Sequence, residues 1–88
     1  MSTGKIEQIS VVGAGILGHS IAQRFASEGF NVNLYDSSKV NLLKAKNNIF
    51  NNLISLSKSN LLKSTPTSIF KKINFLKGSV EQLQIQTL

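Results

Sequence analysis

Apolar residues along the chain keep two different rhythms. Ile6, Ile9, Val11 and Val12 crowd the segment from residue 6 to residue 12 and stop at Gly13, which predicts a buried strand running into a turn. From Ile16 to Glu28 the rhythm changes. Leu17, Ile21 and Phe25 recur four apart beside a row of small residues, Gly18, Ala22 and Ala26. That spacing predicts a helix whose small row lets another backbone approach. Gly29 stands where a helix ends in left-handed backbone. Phe30, Val32 and Leu34 then alternate with Asn31, Asn33 and Tyr35, the pattern of a second strand. The first part of the chain therefore reads strand, helix, strand.

Ser37 and Ser38 are placed to cap a further helix, whose apolar stripe is Leu42, Ala45, Ile49, Leu53 and Leu56, widened by Leu43, Phe50 and Ile54. The segment SKSNLLKSTP breaks that stripe with polar and turn residues, and Thr65-Pro66 reads as a cap followed by proline at the first helical position. A short helix to about Lys72 follows, then a strand in INFLKG, Ile73 to Gly78, and a last helical turn from Ser79 through Leu83. There is no internal repeat. The surplus of asparagine and serine leaves the helical periodicity intact and marks no low-complexity tract.

Composition narrows what such a chain can do. With 88 residues it supports one small core, so residues 1–88 are read as a single unit. There is no cysteine, hence no disulfide and no thiolate metal site. A mean hydropathy of +0.03 leaves no apolar run long enough to cross a bilayer. Ten lysines and arginines against four acids give a net charge of +6. Lys39, Lys44, Lys46, Lys58, Lys63, Lys71, Lys72 and Lys77 are scattered without interleaved aromatics. A solvated basic surface explains them better than a nucleic-acid or membrane face. Met1 to Lys5 carries no apolar signal core, so the expected location is the cytoplasm.

The chemistry concentrates in Gly13-x-Gly15-x-x-Gly18 and Asp36. Three glycines at that spacing are common. These three leave a strand, open a helix, and are followed about twenty residues on by an acid ending the next strand, as the dinucleotide fingerprint requires. Gly13 permits the tight turn, Gly15 lets a pyrophosphate approach the backbone, and Gly18 lets helix and strand pack closely. The helix start near Ile16 and Leu17 offers unpaired N–H groups and partial positive charge to the phosphates. Asp36 accepts from the hydroxyls of the adenosine ribose and repels the additional phosphate of NADP, which favours NAD, with Lys39 softening that repulsion. The alternative is that the glycines only shape a turn while Asp36 caps the helix beginning near Val40.

No catalytic or metal-binding residue is expected. His19, the one histidine, has no second histidine or cysteine to share a metal and no nearby acid in sequence, and reads as an exposed bystander on the first helical turn. Ser20 lacks a base, and Tyr35 reads as sheet packing or a rim contact.

The run Gly13-Ala14-Gly15-Ile16-Leu17-Gly18, with Ile21-Ala22-Gln23, Phe25-Ala26, Gly29, Val32 and Asp36, resembles the NAD-binding domain of the 3-hydroxyacyl-CoA dehydrogenases. That family places a long helix and a helical hairpin between its second and third strands, as residues 40 to 72 are read here, and INFLKGSVEQL resembles its third strand and the following segment. Leu17 stands where the family often has methionine. The implied fold is α/β, a partial Rossmann unit: about three strands of a doubly wound parallel sheet with a helical hairpin between the second and third. The implied activity is hydride transfer between a 3-hydroxyacyl-CoA and NAD in fatty-acid metabolism. The family's histidine–glutamate pair and its helical substrate and dimerisation domain lie later in its sequence and have no counterpart in these residues.

The resemblance thus implies an NAD-binding portion that is not catalytic alone and that meets acyl-CoA only with a complementing chain. In a doubly wound sheet the fourth strand pairs with the first, opposite the second, and the cofactor crevice opens between them. Without that strand the adenosine and pyrophosphate side remains, and the first strand becomes an edge disposed to self-association or to pairing with a C-terminal partner polypeptide. A different class of function fits the same motif: a free-standing module that binds NAD or a related adenine nucleotide without turning it over.

Overall fold

The computed structural model describes residues 8–78. In chain order they form β1 (Gln8–Val12), α1 (Ile16–Ser27), β2 (Asn31–Asp36), α2 (Lys39–Lys58), α3 (Pro66–Phe70) and β3 (Ile73–Lys77). The strands make one parallel sheet in the order β1-β2-β3, with Val11 beside Leu34 and Leu34 beside Phe75. Parallel neighbours need crossover connections, and right-handed crossovers advancing in one direction put α1 and α2 on the same face of the sheet. The expected α/β partial Rossmann unit, with a helical hairpin between the second and third strands, is the architecture found. The expected last turn from Ser79 through Leu83 lies outside the described residues.

The core sits between that face and the helices. Val32, Leu34 and Ile73 from the sheet meet Ala22 and Ala26 of α1, Leu42, Ala45, Ile49 and Leu53 of α2, and Ile69 of α3. Leu42, Ala45, Ile49 and Leu53 of the stripe read for α2 are buried, Leu56 is half-buried, and Leu43 and Phe50, which widen it, stay exposed. Both helix starts in the hairpin are capped as their sequence suggests. Ser38 Oγ accepts from the Asn41 N–H at 3.2 Å, and Thr65 Oγ1 accepts from the Ser68 N–H at 3.2 Å. The α2 helix ends where Asn60 takes a positive φ of 59° and the Leu61 N–H donates to the Leu56 carbonyl at 3.0 Å. Asparagine tolerates left-handed backbone better than most side chains, so the break falls inside SKSNLLKSTP.

One expectation for α1 is corrected. His19 is buried, at 7% exposure, on a line with the buried Ala22 and Ala26 that helical spacing places three and seven residues on. Leu17, at 74% exposure, and Ile21 are exposed although their spacing marks an apolar face. The physical reason is that the small row, not the large one, lies against the sheet. Alanine at these positions lets α1 approach closely, and this turns Leu17 and Ile21 outward.

The opposite face of the sheet carries a polar row. Ser10, Asn33 and Asn74 are register neighbours across all three strands, and Asn74 Nδ2 donates to Asn33 Oδ1 at 3.0 Å. Alternation along each strand puts this row opposite Val32, Leu34 and Ile73.

Candidate functional site

The carboxyl ends of the strands, where open α/β sheets bind ligands, carry both parts of the motif. At the end of β1 the Gly13 N–H donates to the Tyr35 carbonyl at 2.7 Å, extending the pairing with β2 by one step. Gly13 then takes a φ of 100°, in the left-handed region that favours glycine, and the chain turns out of the sheet. At Gly18 a Cβ would overlap the Gly13 carbonyl oxygen, with the carbonyl carbon at 2.8 Å and Val11 Cγ1 at 3.8 Å. Gly18 therefore allows the first turn of α1 to lie on the end of β1.

Gly15 differs from both. Its φ of −70° is open to any residue, and a Cβ there would meet nothing within 4 Å. The space beside it faces the start of α1. Gly15 is the N-cap and brings no side chain to cap the helix, the first turn holds no acid, and the first intrahelical bond is from His19 N–H to the Gly15 carbonyl at 2.9 Å. The N–H groups of Ile16, Leu17 and Gly18 thus precede the helical ladder and have no intrahelical acceptor. With the helix dipole they form an electropositive end suited to an anion.

Asp36 ends β2 and points back at this turn. Its Oδ2 accepts from the Ala14 N–H at 2.8 Å, while Oδ1 accepts from the Ser38 N–H at 2.8 Å and from Asn41 Nδ2 at 3.3 Å. These donors, the Ala14 amide foremost and then the Ser38 amide, hold the carboxyl below its ordinary value of 3.8. Partial burial acts in the opposite direction, and the Asn41 amide adds to the lowering. Asp36 is ionised at neutral pH as a result. Ser38 rather than Asp36 is the N-cap of α2, and Asp36 accepts from the Ser38 amide at that cap while its other oxygen binds the glycine turn.

Gly13, Gly15, Ile16, Leu17, Gly18 and Asp36 are therefore gathered at one end of the sheet. Two contributors are missed by sequence reasoning, the Ala14 amide and Asn41. Ala14 is concealed because the donor is backbone. Asn41 is visible only as the third residue after a serine cap, a spacing that brings it back over the first turn. Ser20 Oγ donates to the Ile16 carbonyl at 2.7 Å within its own helix, and no group of three metal-ligating side chains occurs among the described residues. No helix among them is long and apolar enough to cross a membrane.

The site fits a dinucleotide on its own geometry. An anion has open space beside Gly15 and amides without intrahelical acceptors at the helix start, and an ionised carboxylate stands next to the same turn. A carboxylate offers about four acceptor positions, and the three protein donors leave one of them, on Oδ2, for a ribose hydroxyl.

Comparison with known proteins agrees. The 3-hydroxyacyl-CoA dehydrogenase NAD-binding domain matches residues 8–86. The lambda-crystallin homolog of Mus musculus is 36% identical over 70 residues, which cover 80% of this chain and 22% of that protein. Among solved structures, 3-hydroxybutyryl-CoA dehydrogenase from Escherichia coli K12 superposes with a TM-score of 0.74 at 25% identity, covering 92% of this chain and 20% of its own. The (S)-3-hydroxybutyryl-CoA dehydrogenase of Ralstonia eutropha shares the fold with a TM-score of 0.74 at 24% identity, over 94% of this chain and 35% of its own. The chain thus spans about a fifth to a third of the length of these relatives. With the glycine turn and its acid in place, the chain belongs to the NAD-binding domain family of the 3-hydroxyacyl-CoA dehydrogenases, and its cofactor is NAD.

Proposed function

We propose that this chain holds the adenosine and pyrophosphate half of NAD, with the Ile16, Leu17 and Gly18 amides on the diphosphate and Asp36 on the adenosine ribose. The observation that carries this reading is the Ala14–Asp36 bond, which fixes an ionised carboxylate beside a helix start with nothing over Gly15. NAD supplies the hydride acceptor. The residues here bind and orient it, and no general base with an orienting partner stands at the turn among the described residues. The work assigned to the chain is therefore the cofactor-binding part of a 3-hydroxyacyl-CoA oxidoreductase. Oxidation of the hydroxyl and contact with the acyl-CoA are assigned to groups outside these residues.

The edge of the sheet supports that division. Among the described residues β1 is paired on one side only, by β2, and Val12, Ile16, Leu17 and Ile21 are exposed on β1 and α1. We assign this border to a further parallel strand, supplied by a complementing segment or by a second copy. Titration calorimetry tests the binding half: NAD should bind the isolated chain with submillimolar affinity, and NADP more weakly. Absence of NAD binding both alone and with a complementing C-terminal portion would refute the assignment.

A second reading, a free-standing NAD-binding module, is favoured by the polar row Ser10, Asn33 and Asn74. Parallel sheets covered on both faces carry apolar residues on both, whereas this row suits contact with water. Acyl-CoA-dependent NADH formation after adding a C-terminal portion separates an enzyme half from such a module.

A further inference from the structure

A second recess lies on the far side of the sheet order from the glycine turn, where α2 and α3 meet β3. Two adjoining hollows of about 310 and 320 Å³ share Lys46 and Phe75 as walls. One is completed by Lys39, Leu42 and Leu43, the other by Phe70, Lys71, Ile73, Asn74 and Leu76. Its floor is aromatic. Phe70 and Phe75 line it with ring centroids 5.6 Å apart, Phe50, outside the lining, packs on Phe70 at 5.3 Å, and Lys46 Nζ stands 5.5 Å from the Phe75 centroid. Apolar surface remains uncovered around it, with Leu43 60% and Leu76 38% exposed.

The charge around this floor has one sign. Lys39, Lys46 and Lys71 frame the recess, and the two carboxylates among the described residues, Glu28 and Asp36, are absent from its lining. Asp36 is already engaged by Ala14, Ser38 and Asn41. A cation over a ring in place of a carboxylate is a weak arrangement at an exposed site. A partner that covers the rings and brings a negative charge improves on both counts, because it removes apolar surface from water and pairs the lysines. Gly13, Gly15, Ile16, Leu17, Gly18 and Asp36 do not line this recess; Lys39, read as softening the repulsion of the NADP phosphate, does.

We propose that the α2–β3 recess is a second binding site, for a small amphiphilic organic anion whose apolar body lies on Phe75 and whose charge is met by Lys46 with Lys39 or Lys71. The proposal is independent of the NAD reading. The test is fluorescence titration of the full chain with anilinonaphthalene sulfonate, alongside its uncharged counterpart phenylnaphthylamine. The sulfonate should saturate a single site and bind more tightly than the uncharged dye. Lys46→Glu should weaken it about fivefold or more, as reversing one partly exposed charge predicts. Phe75→Leu should weaken it as well, and Lys63→Glu should leave it unchanged, with circular dichroism confirming that each variant folds. Saturating NAD should not displace the dye. Failure of the sulfonate to bind, equal binding of the uncharged dye, indifference to Lys46→Glu, or displacement by NAD would each overturn the proposal.

Discussion

The Ala14 amide donates to Asp36 Oδ2 at 2.8 Å across a separation of 22 residues, fastening the glycine turn to the end of the neighbouring strand. One carboxylate thereby serves structure and ligand together. It closes the turn, supports the Ser38 cap of α2 and keeps an acceptor position beside the electropositive start of α1.

Replacing that carboxylate should therefore affect both properties. Asp36→Ala removes the acceptor for the Ala14 and Ser38 amides and is expected to destabilise the fold by about 1 kcal/mol, the usual worth of such bonds at a partly exposed site. It should also weaken NAD by about tenfold and narrow the difference between NAD and NADP. Denaturant unfolding and calorimetry on the same preparation measure the two effects.

Acid should act through the same residue. The folded carboxyl titrates below its ordinary value of 3.8, held there first by the Ala14 amide and then by the Ser38 amide. Asp36 binds protons less readily folded than unfolded, so its contribution is present above the unfolded value and is lost as pH falls through the folded one. Urea midpoints from pH 7 down to about pH 2 should fall on the acid side, and Asp36→Asn should flatten part of that fall.

The glycines should separate fold from binding. Gly18→Ala drives a methyl group into the Gly13 carbonyl, so the helix must shift, at about 1–3 kcal/mol. Gly15→Ala meets no neighbour and keeps an ordinary φ of −70°. Its effect on stability should stay under about 1 kcal/mol, while the methyl group occupies the space assigned to the diphosphate and abolishes measurable NAD binding. Equal losses of stability in the two variants would contradict this division.

The apolar border should govern association. Ile16 and Leu17 are the most exposed large apolar residues at the β1 side, at 83% and 74%. Changing both to serine should reduce any concentration-dependent oligomer seen by sedimentation velocity and leave the helical circular dichroism unchanged. By contrast, Leu53→Ala in the closed core should lower stability by about 2–5 kcal/mol, a large fraction of what a domain of this size holds.

Much of this arrangement is legible in the residues because local and long-range signals coincide. The end of β1 is marked by Gly13, the start of α2 by Ser38, and the break after it by polar residues whose Asn60 takes the left-handed turn. The site is legible because fingerprint glycines act through backbone geometry, which spacing encodes. Burial of His19 is not, since periodicity defines which residues share a face without saying which face meets the sheet. Here the close approach allowed by Ala22 and Ala26 makes that choice. The Ala14 donor is hidden for a different reason: a main-chain amide leaves no mark on side-chain identity.

The central claim is that free amides at the start of α1 take the diphosphate while Asp36 takes the sugar. The most direct measurement is an NMR titration of isotope-labelled chain with NAD, following the amides of Gly15, Ile16, Leu17 and Gly18 together with the Asp36 carboxyl carbon. Saturable shifts concentrated at these five residues, lost in Asp36→Ala, are predicted. Shifts elsewhere with these signals unmoved, or an unchanged affinity in Asp36→Ala, would contradict it.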